Sequence, residues 1–282
     1  MKKFDGAFAE NTLRAYRSDF GRFETWCQTF EVPLFEPNEA DLAHYVDYLA
    51  IRYSSASVRR HIASISSILR LSGHQDTTKF PEVVLALKRM HRRKGRAQRQ
   101  AIPLTRTVLE RLMAACTNDP RGQRDRVLLQ LGYDTMRRRA ELCRLTLEDM
   151  VLLPSGKAGL RLNFSKTDQF GTGKIIPISQ ALHQDLRLWA EHVGDKGPIL
   201  RSVHNSGTVG AGLHPASVNR ILERLQRAAR LDLGGRLTGH SFRVGAALDL
   251  LEAGESLEKI MLRGGWQAQS TVINYLRAWQ AM

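Results

Sequence analysis

The chain has 282 residues, with 42 Lys+Arg against 28 Asp+Glu, a formal net charge of +14 and a pI near 10.2. A hydrophobic share of 43% supports real cores, most simply in two unequal domains, and argues against a disordered chain; the positive excess favours a polyanionic partner, nucleic acid before an anionic membrane surface. No apolar run approaches the roughly 20 residues that span a bilayer, MKKFDGAFAE lacks the apolar stretch of a signal peptide, and three widely spaced cysteines without a CxxC pair fit reduced thiols of a cytoplasmic protein.

In chain order, Leu13, Tyr16, Phe20, Phe23, Cys27 and Phe30 recur at three- and four-residue steps, which predicts an amphipathic helix. Asn38 is placed to cap a second helix that turns Leu42, Val46 and Leu49 inward. A third, over 55–71, buries Val58, Ile62, Ile65 and Leu69, stops at Gly73 and leaves Ser57, Arg60, His61 and Ser64 on its other face. Pro81 opens a fourth through EVVLALKRMHRR, completing an all-helical unit over 1–91.

The stretch HRRKGRAQRQAIPLT is dense in Lys and Arg, offers almost nothing to bury and reads as a basic interdomain linker over 92–104. A solvated charge run is the plain alternative; a basic linker between basic domains lies naturally along a phosphate backbone. The second unit, 105–282, opens with a helix capped by Thr105 and continues in a long helical stretch over 123–145, with Gly132 as the candidate interruption. GLRLNF and GKIIPIS alternate like strands around the turn KTDQFGTG and predict a hairpin, and helices follow near 179–192, 215–230, 240–253, 256–263 and 269–280. The fold class is therefore mainly α with a small β-hairpin or sheet.

Three segments put charge or a reactive group on an inward face. Helical phase aligns Arg138 with Leu142 and Leu145 and swings Arg137 and Arg139 about 100° to either side, toward water. An arginine on an inward stripe needs an anion: Glu141 as a structural partner, or a phosphate gripped bidentately in a cleft. In GHSFRVGAALDLLEAG, His240 and Arg243 lead the stripe that continues as Val244, Ala247, Leu248 and Leu251, and together they suit an oxyanion plus a proton transfer. On the last helix Val272, Tyr275, Leu276 and Trp279 form one stripe, where Tyr275 taken alone reads as core. With no HExxH, cysteine pair or GxxxxGK[ST] loop, neither a metal site nor a nucleotide loop is expected.

The series Arg138-Arg139-Ala140-Glu141-Leu142, Lys166-Thr167, Gly239-His240-Ser241-Phe242-Arg243, Gly264-Gly265-Trp266 and Tyr275 resembles the motif series of the tyrosine recombinases, or phage integrase family, including a Trp266 where many members carry a second histidine. The likeness covers nearly the whole chain and implies a helical core-binding domain followed by a catalytic domain. It implies that Tyr275 attacks a phosphodiester to form a 3′-phosphotyrosyl link, without metal or ATP. Arg138 and Arg243 would hold the non-bridging oxygens, His240 would assist proton transfer, the Trp266 indole N–H would donate to an oxygen, Lys166 would protonate the leaving 5′-oxygen, and Glu141 would orient the site.

The resemblance also implies double-stranded DNA with a specific recombination site as partner, gripped in a C-shaped clamp, with Ser57, Arg60, His61 and Ser64 reading the major groove. Protomers would form a homotetramer on two sites, in the cytoplasm on nucleoid DNA. Seven residues, LRAWQAM, follow Tyr275 where relatives continue into a docking helix, which leaves protomer contacts to the Tyr275 helix or to other surfaces. The same chemistry in a type IB topoisomerase or telomere resolvase, or a non-catalytic DNA-binding relative, are the rival readings.

Overall fold

The computed structural model describes residues 4, 6–96, 100–162 and 174–277, apart from the side chains of 274, 275 and 277. The chain divides into two units, Met1–Arg99 and Gln100–Met282, each with its own hydrophobic core. The first holds α1 (Glu10–Phe30), α2 (Glu39–Arg52), α3 (Ser55–Leu71) and α4 (Pro81–Lys94). Helix α2 starts as its sequence requires: the Asp41 N–H donates to Asn38 Oδ1 at 2.9 Å and the Asn38 N–H to Asp41 Oδ2 at 3.1 Å, a reciprocal cap. Phe23, Trp26, Tyr45, Leu49, Ile65, Leu69 and Met90 close the core between the four helices.

Helix α4 extends through Lys94, so residues 92–94, assigned to the linker from sequence, are helical. The reason is local: Arg93 pairs with Asp47 at 3.0 Å, and Lys94 Nζ donates to the carbonyls of Ala50 and, at 2.9 Å, of Tyr53, so these cations fasten α4 to α2. At the far end Leu104 is fully buried in the second core, and its N–H donates to Ser241 O at 3.0 Å. Residues 97–99 of the linker lie outside the described residues.

The second unit contains α5 (Arg106–Ala114), α6 (Pro120–Thr135), α7 (Arg139–Leu142), β1 (Met150–Leu152), β2 (Ala158–Leu162), β3 (Lys174–Pro177), α8 (Gln180–Val193), α9 (Pro215–Ala228), α10 (Ser241–Glu252), α11 (Leu257–Gly264) and α12 (Gln269–Arg277). The expected hairpin is present as antiparallel β2–β3, with Leu160 opposite Ile176 on the buried side and Arg161 opposite Ile175 facing out. Strand β1 adds a third, antiparallel member beside β2. Its three residues are too few to show a period of two in the sequence.

Helix α6 runs through the middle of this unit, touching α5, α8 and α10, and every residue from Val127 to Thr135 is buried. Gly132 does not interrupt it. The Phe242 ring of α10 lies over that position, where a Cβ would stand 2.7 Å from the ring. The helix ends instead at Met136, a left-handed residue (φ 51°) whose N–H closes on Gly132 O at 3.0 Å. The stretch expected as one helix over 123–145 is therefore two helices joined at a sharp corner.

Candidate active site

The corner at Met136 resets helical phase, and with it the roles of the three arginines that follow. Arg138 is the N-cap of α7, its side chain 36% exposed, and Glu141 folds back to it: Arg138 Nη1 donates to Oε1 at 3.0 Å and the Arg138 backbone N–H to Oε2 at 3.2 Å. Burial pushes the Glu141 carboxyl up, but the bonds and charge of Arg138 outweigh it and leave the pKa below the usual range. Arg139 is exposed, as expected. Arg137 is not a flank residue reaching water: it is 3% exposed, with Nε donating to Thr135 O at 2.8 Å and Nη2 donating to Arg263 O. The cause is that α7 spans only Arg139–Leu142 with an extended Arg138 as its N-cap, so helical phase counted back from Leu145 does not extend to Arg137.

The loop before α10 is pinned to α9 by the Gly239 N–H, which donates to Asn219 Oδ1 at 2.9 Å. His240 caps α10 and is partly buried; burial, then the charges of Arg243 and Arg138, hold its pKa below the ordinary imidazole value. The Arg243 bond to Met136 O, two residues before Arg138, and the first-turn spacing of His240 and Arg243 on α10 set the first turn of α10 beside the start of α7. Arg243 is 1% exposed, donates from Nη1 to Met136 O at 2.5 Å, and holds its Cζ 4.4 Å from the centroid of the Trp266 ring. Trp266 thus presents a ring face to the guanidinium. Its ring also lies across Gly264, where a Cβ would stand 1.9 Å away, and Gly265 (φ 69°) then turns the chain toward α12.

Helix α12 packs against α10 and α11 through Val272 and Leu276, both buried, and its backbone carries Tyr275. The Tyr275 side chain, Trp279 and Lys166 lie outside the described residues. Lys174 on β3 donates from Nζ to Leu262 O; burial and the charge of Arg137 lower its pKa. Among the described residues no group of three His, Cys, Asp or Glu side chains could hold a metal ion.

Residues 103–281 match the phage integrase family, and residues 3–72 match the phage integrase N-terminal SAM-like domain. This chain belongs to the phage integrase family of tyrosine recombinases. It is 26% identical to Recombinase cre of Escherichia phage P1, over 96% of this chain and 85% of that protein. It is 27% identical to the integrase/recombinase xerD homolog of Selenomonas ruminantium, over 98% of this chain and 84% of that protein. Among solved structures, a lambda integrase (75-356) dimer bound to a COC′ core site superposes with a TM-score of 0.68 at 19% identity, covering 96% of this chain and 90% of that one, which shows the shared fold.

In the first unit of this recombinase, two of the four residues placed on an exposed face are buried. His61 is wholly covered and Ser64 is 3% exposed, because α1 packs on that side of α3 and inserts a buried carboxylate, Asp19. Ser64 Oγ donates to Asp19 Oδ2 at 2.8 Å, Arg60 Nη1 to the same oxygen at 2.6 Å, and His61 Nε2 stands 3.4 Å from Oδ1. Ser57 is partly buried and bonds Ser54 Oγ. The outward face of α3 is Arg59, Arg60, Ala63 and Arg70. Asp19 escapes the sequence because it falls between two aromatic steps of the α1 stripe and reads there as solvated. Arg137, Lys174 and Arg263 escape because basic residues are assigned to surfaces by default.

Proposed function

We propose that this recombinase cuts and rejoins duplex DNA at a specific site through a covalent link to Tyr275. The observation that carries the reading is the convergence of Arg138, His240 and Arg243 beside the Met136 corner: two guanidiniums against the Glu141 carboxylate make a positive locus for a phosphodiester. The Tyr275 oxygen attacks phosphorus as its proton departs; the bond to the 5′-oxygen breaks, and that oxygen takes a proton, from Lys166, to leave as a 5′-hydroxyl. Rejoining runs the same steps backward with an incoming 5′-hydroxyl, so the energy of the phosphodiester is retained.

Arg138 and Arg243 hold the non-bridging oxygens as charge builds in the transition state. Each guanidinium is fixed beforehand, by Glu141 and by Met136 O respectively, so little reorganisation is left to the reacting complex. His240, kept neutral by burial and its cationic neighbours, can accept a proton at pH 7, and Trp266 supports Arg243 from below. The outward face of α3, with Arg59 and Arg60, supplies cations to the phosphate backbone. Strand exchange between two sites engages four protomers, one per cleaved strand.

The test begins with a site recovered from randomised duplexes by repeated selection. A nicked form of that site, without metal or ATP, is expected to yield a protease-sensitive covalent protein–DNA species that Tyr275→Phe abolishes. If wild type binds the site tightly and forms no such species, the reading falls.

A further inference from the structure

Three consecutive carbonyls at the end of α6 are each taken by an arginine. Asp134 O accepts from Arg263 Nε at 3.0 Å, Thr135 O from Arg137 Nε at 2.8 Å, and Met136 O from Arg243 Nη1 at 2.5 Å. Terminal helix carbonyls lack partners within their own helix and carry the negative end of its dipole, so cations suit them. Arg243 belongs to the phosphate side of the site. Arg137 does something different: the same guanidinium sends Nη2 to Arg263 O, in the last turn of α11. The end of α6 with the corner that follows it and α11 therefore exchange arginine-to-carbonyl bonds in both directions, and Lys174 Nζ takes the neighbouring carbonyl, Leu262 O.

Immediately beyond this clamp the chain turns at Gly265, where a Cβ would stand 2.7 Å from Arg137 Nη1, then places Trp266 against Arg243 and enters α12. Arg137 is buried, and its Nε and Nη2 are both committed to backbone carbonyls. Its bonds lie between the piece of chain that leads to Arg138 and the piece that leads to Tyr275.

We propose that Arg137 is a positioning residue for strand cleavage: its two-ended guanidinium fixes the α11–α12 turn against the end of α6, and so sets the helix carrying Tyr275 relative to Arg138 and Arg243. The inference rests on Tyr275 as the nucleophile. Lysine cannot substitute, because its donors sit on a single atom and cannot occupy the Nε and Nη2 stations together.

The experiment measures single-turnover formation of the covalent species on the nicked site, at saturating protein, for wild type, Arg137→Met and Arg137→Lys. Both variants are expected to slow it roughly 10- to 100-fold, the scale of a small misplacement of a reacting group, with site affinity unchanged. The lysine variant keeps the buried cation and carries the test if the methionine chain does not fold. A second arm uses the Tyr275→Phe background with hydrogen peroxide as a small external nucleophile, which needs the phosphate-holding side but not the tyrosine helix; there Arg137→Met and Arg137→Lys are both expected to change nothing.

Equal slowing in both arms would mean that Arg137 supports the whole unit rather than the tyrosine helix, and overturns the inference. So does an unaltered covalent rate, or a loss of affinity that accounts for the loss of rate. Wild type that forms no covalent species removes the Tyr275 assignment and the inference with it, whereas active wild type with equally active Arg137 variants removes the inference alone.

Discussion

Replacing Gly245 with alanine probes how α10 is held against the segment that enters the second unit. The new Cβ would stand 1.9 Å from Leu104 O and 2.1 Å from its carbonyl carbon, so reaching ordinary contact at 3.4 Å requires a retreat of about 1.5 Å. That movement breaks the bond from the Leu104 N–H to Ser241 O and lifts a fully buried leucine. Stranding the two buried groups costs ~1–3 kcal/mol, and partial exposure of the leucine adds ~1 kcal/mol. The better helix propensity of alanine returns ~1 kcal/mol. The net expectation is a destabilisation of ~2 kcal/mol, read by urea unfolding followed by circular dichroism. Gly21 supplies the contrast: it lies inside α1 with nothing within 4 Å of its would-be Cβ, so Gly21→Ala is expected to stabilise by ~0.5–1 kcal/mol. If Gly245→Ala behaves like Gly21→Ala, the close approach of α10 to residue 104 is wrong.

Asp19→Ala removes the buried acceptor shared by Ser64 and Arg60; half-exposed Arg60 can turn to water, so the expected loss is ~2–4 kcal/mol in urea unfolding, and a loss under ~1 kcal/mol contradicts the burial argument. His240 is expected to titrate below about 6.5 in DNA-free protein by NMR, and Arg243→Ala to raise its midpoint. Because its folded pKa is the lower one, the unfolded chain binds more protons, and this group takes stability away as pH falls below its unfolded value near 6.5. An unmoved midpoint in the alanine variant would refute the charge coupling. Trp266→Leu removes the ring 4.4 Å from the Arg243 guanidinium, a contact worth ~1–2 kcal/mol, and is expected to slow covalent complex formation on the order of tenfold. Trp266→Phe, which keeps a ring, should retain most of the rate; equal loss in both variants speaks against the ring contact.

Much of the fold was legible because apolar periodicity is a strong signal: α1 to α4, the β2–β3 hairpin and α8 to α12 stand close to where their stripes and caps put them. The failures share a physical origin. Helix α7 begins only at Arg139, after the left-handed Met136 and an extended Arg138, so phase carried back from Leu145 gave Arg137 and Arg138 each other's surroundings. His61 and Ser64 sit on the polar side of α3, yet a helix in a bundle meets more than one neighbour, and on the face turned toward α1 Ser64 bonds a buried carboxylate with His61 beside it. His240, Arg243 and Trp266 stand out in the sequence by their spacing and by the family likeness, and the structure sets Trp266 against Arg243. The buried arginine clamp was not, since nothing in a sequence distinguishes a cation that bonds helix-end carbonyls from one that faces solvent.

The unbroken burial of α6 from Val127 to Thr135 also sets a timescale. Amide exchange from Val127 to Thr135 has no route through fraying or a solvent-facing edge, so these protons are expected to exchange only when the whole unit opens. The carbonyls that hold Arg137, Arg243 and Arg263 belong to the same end of this helix. The backbone stations of the three arginines are thus expected to share the slow exchange of this helix.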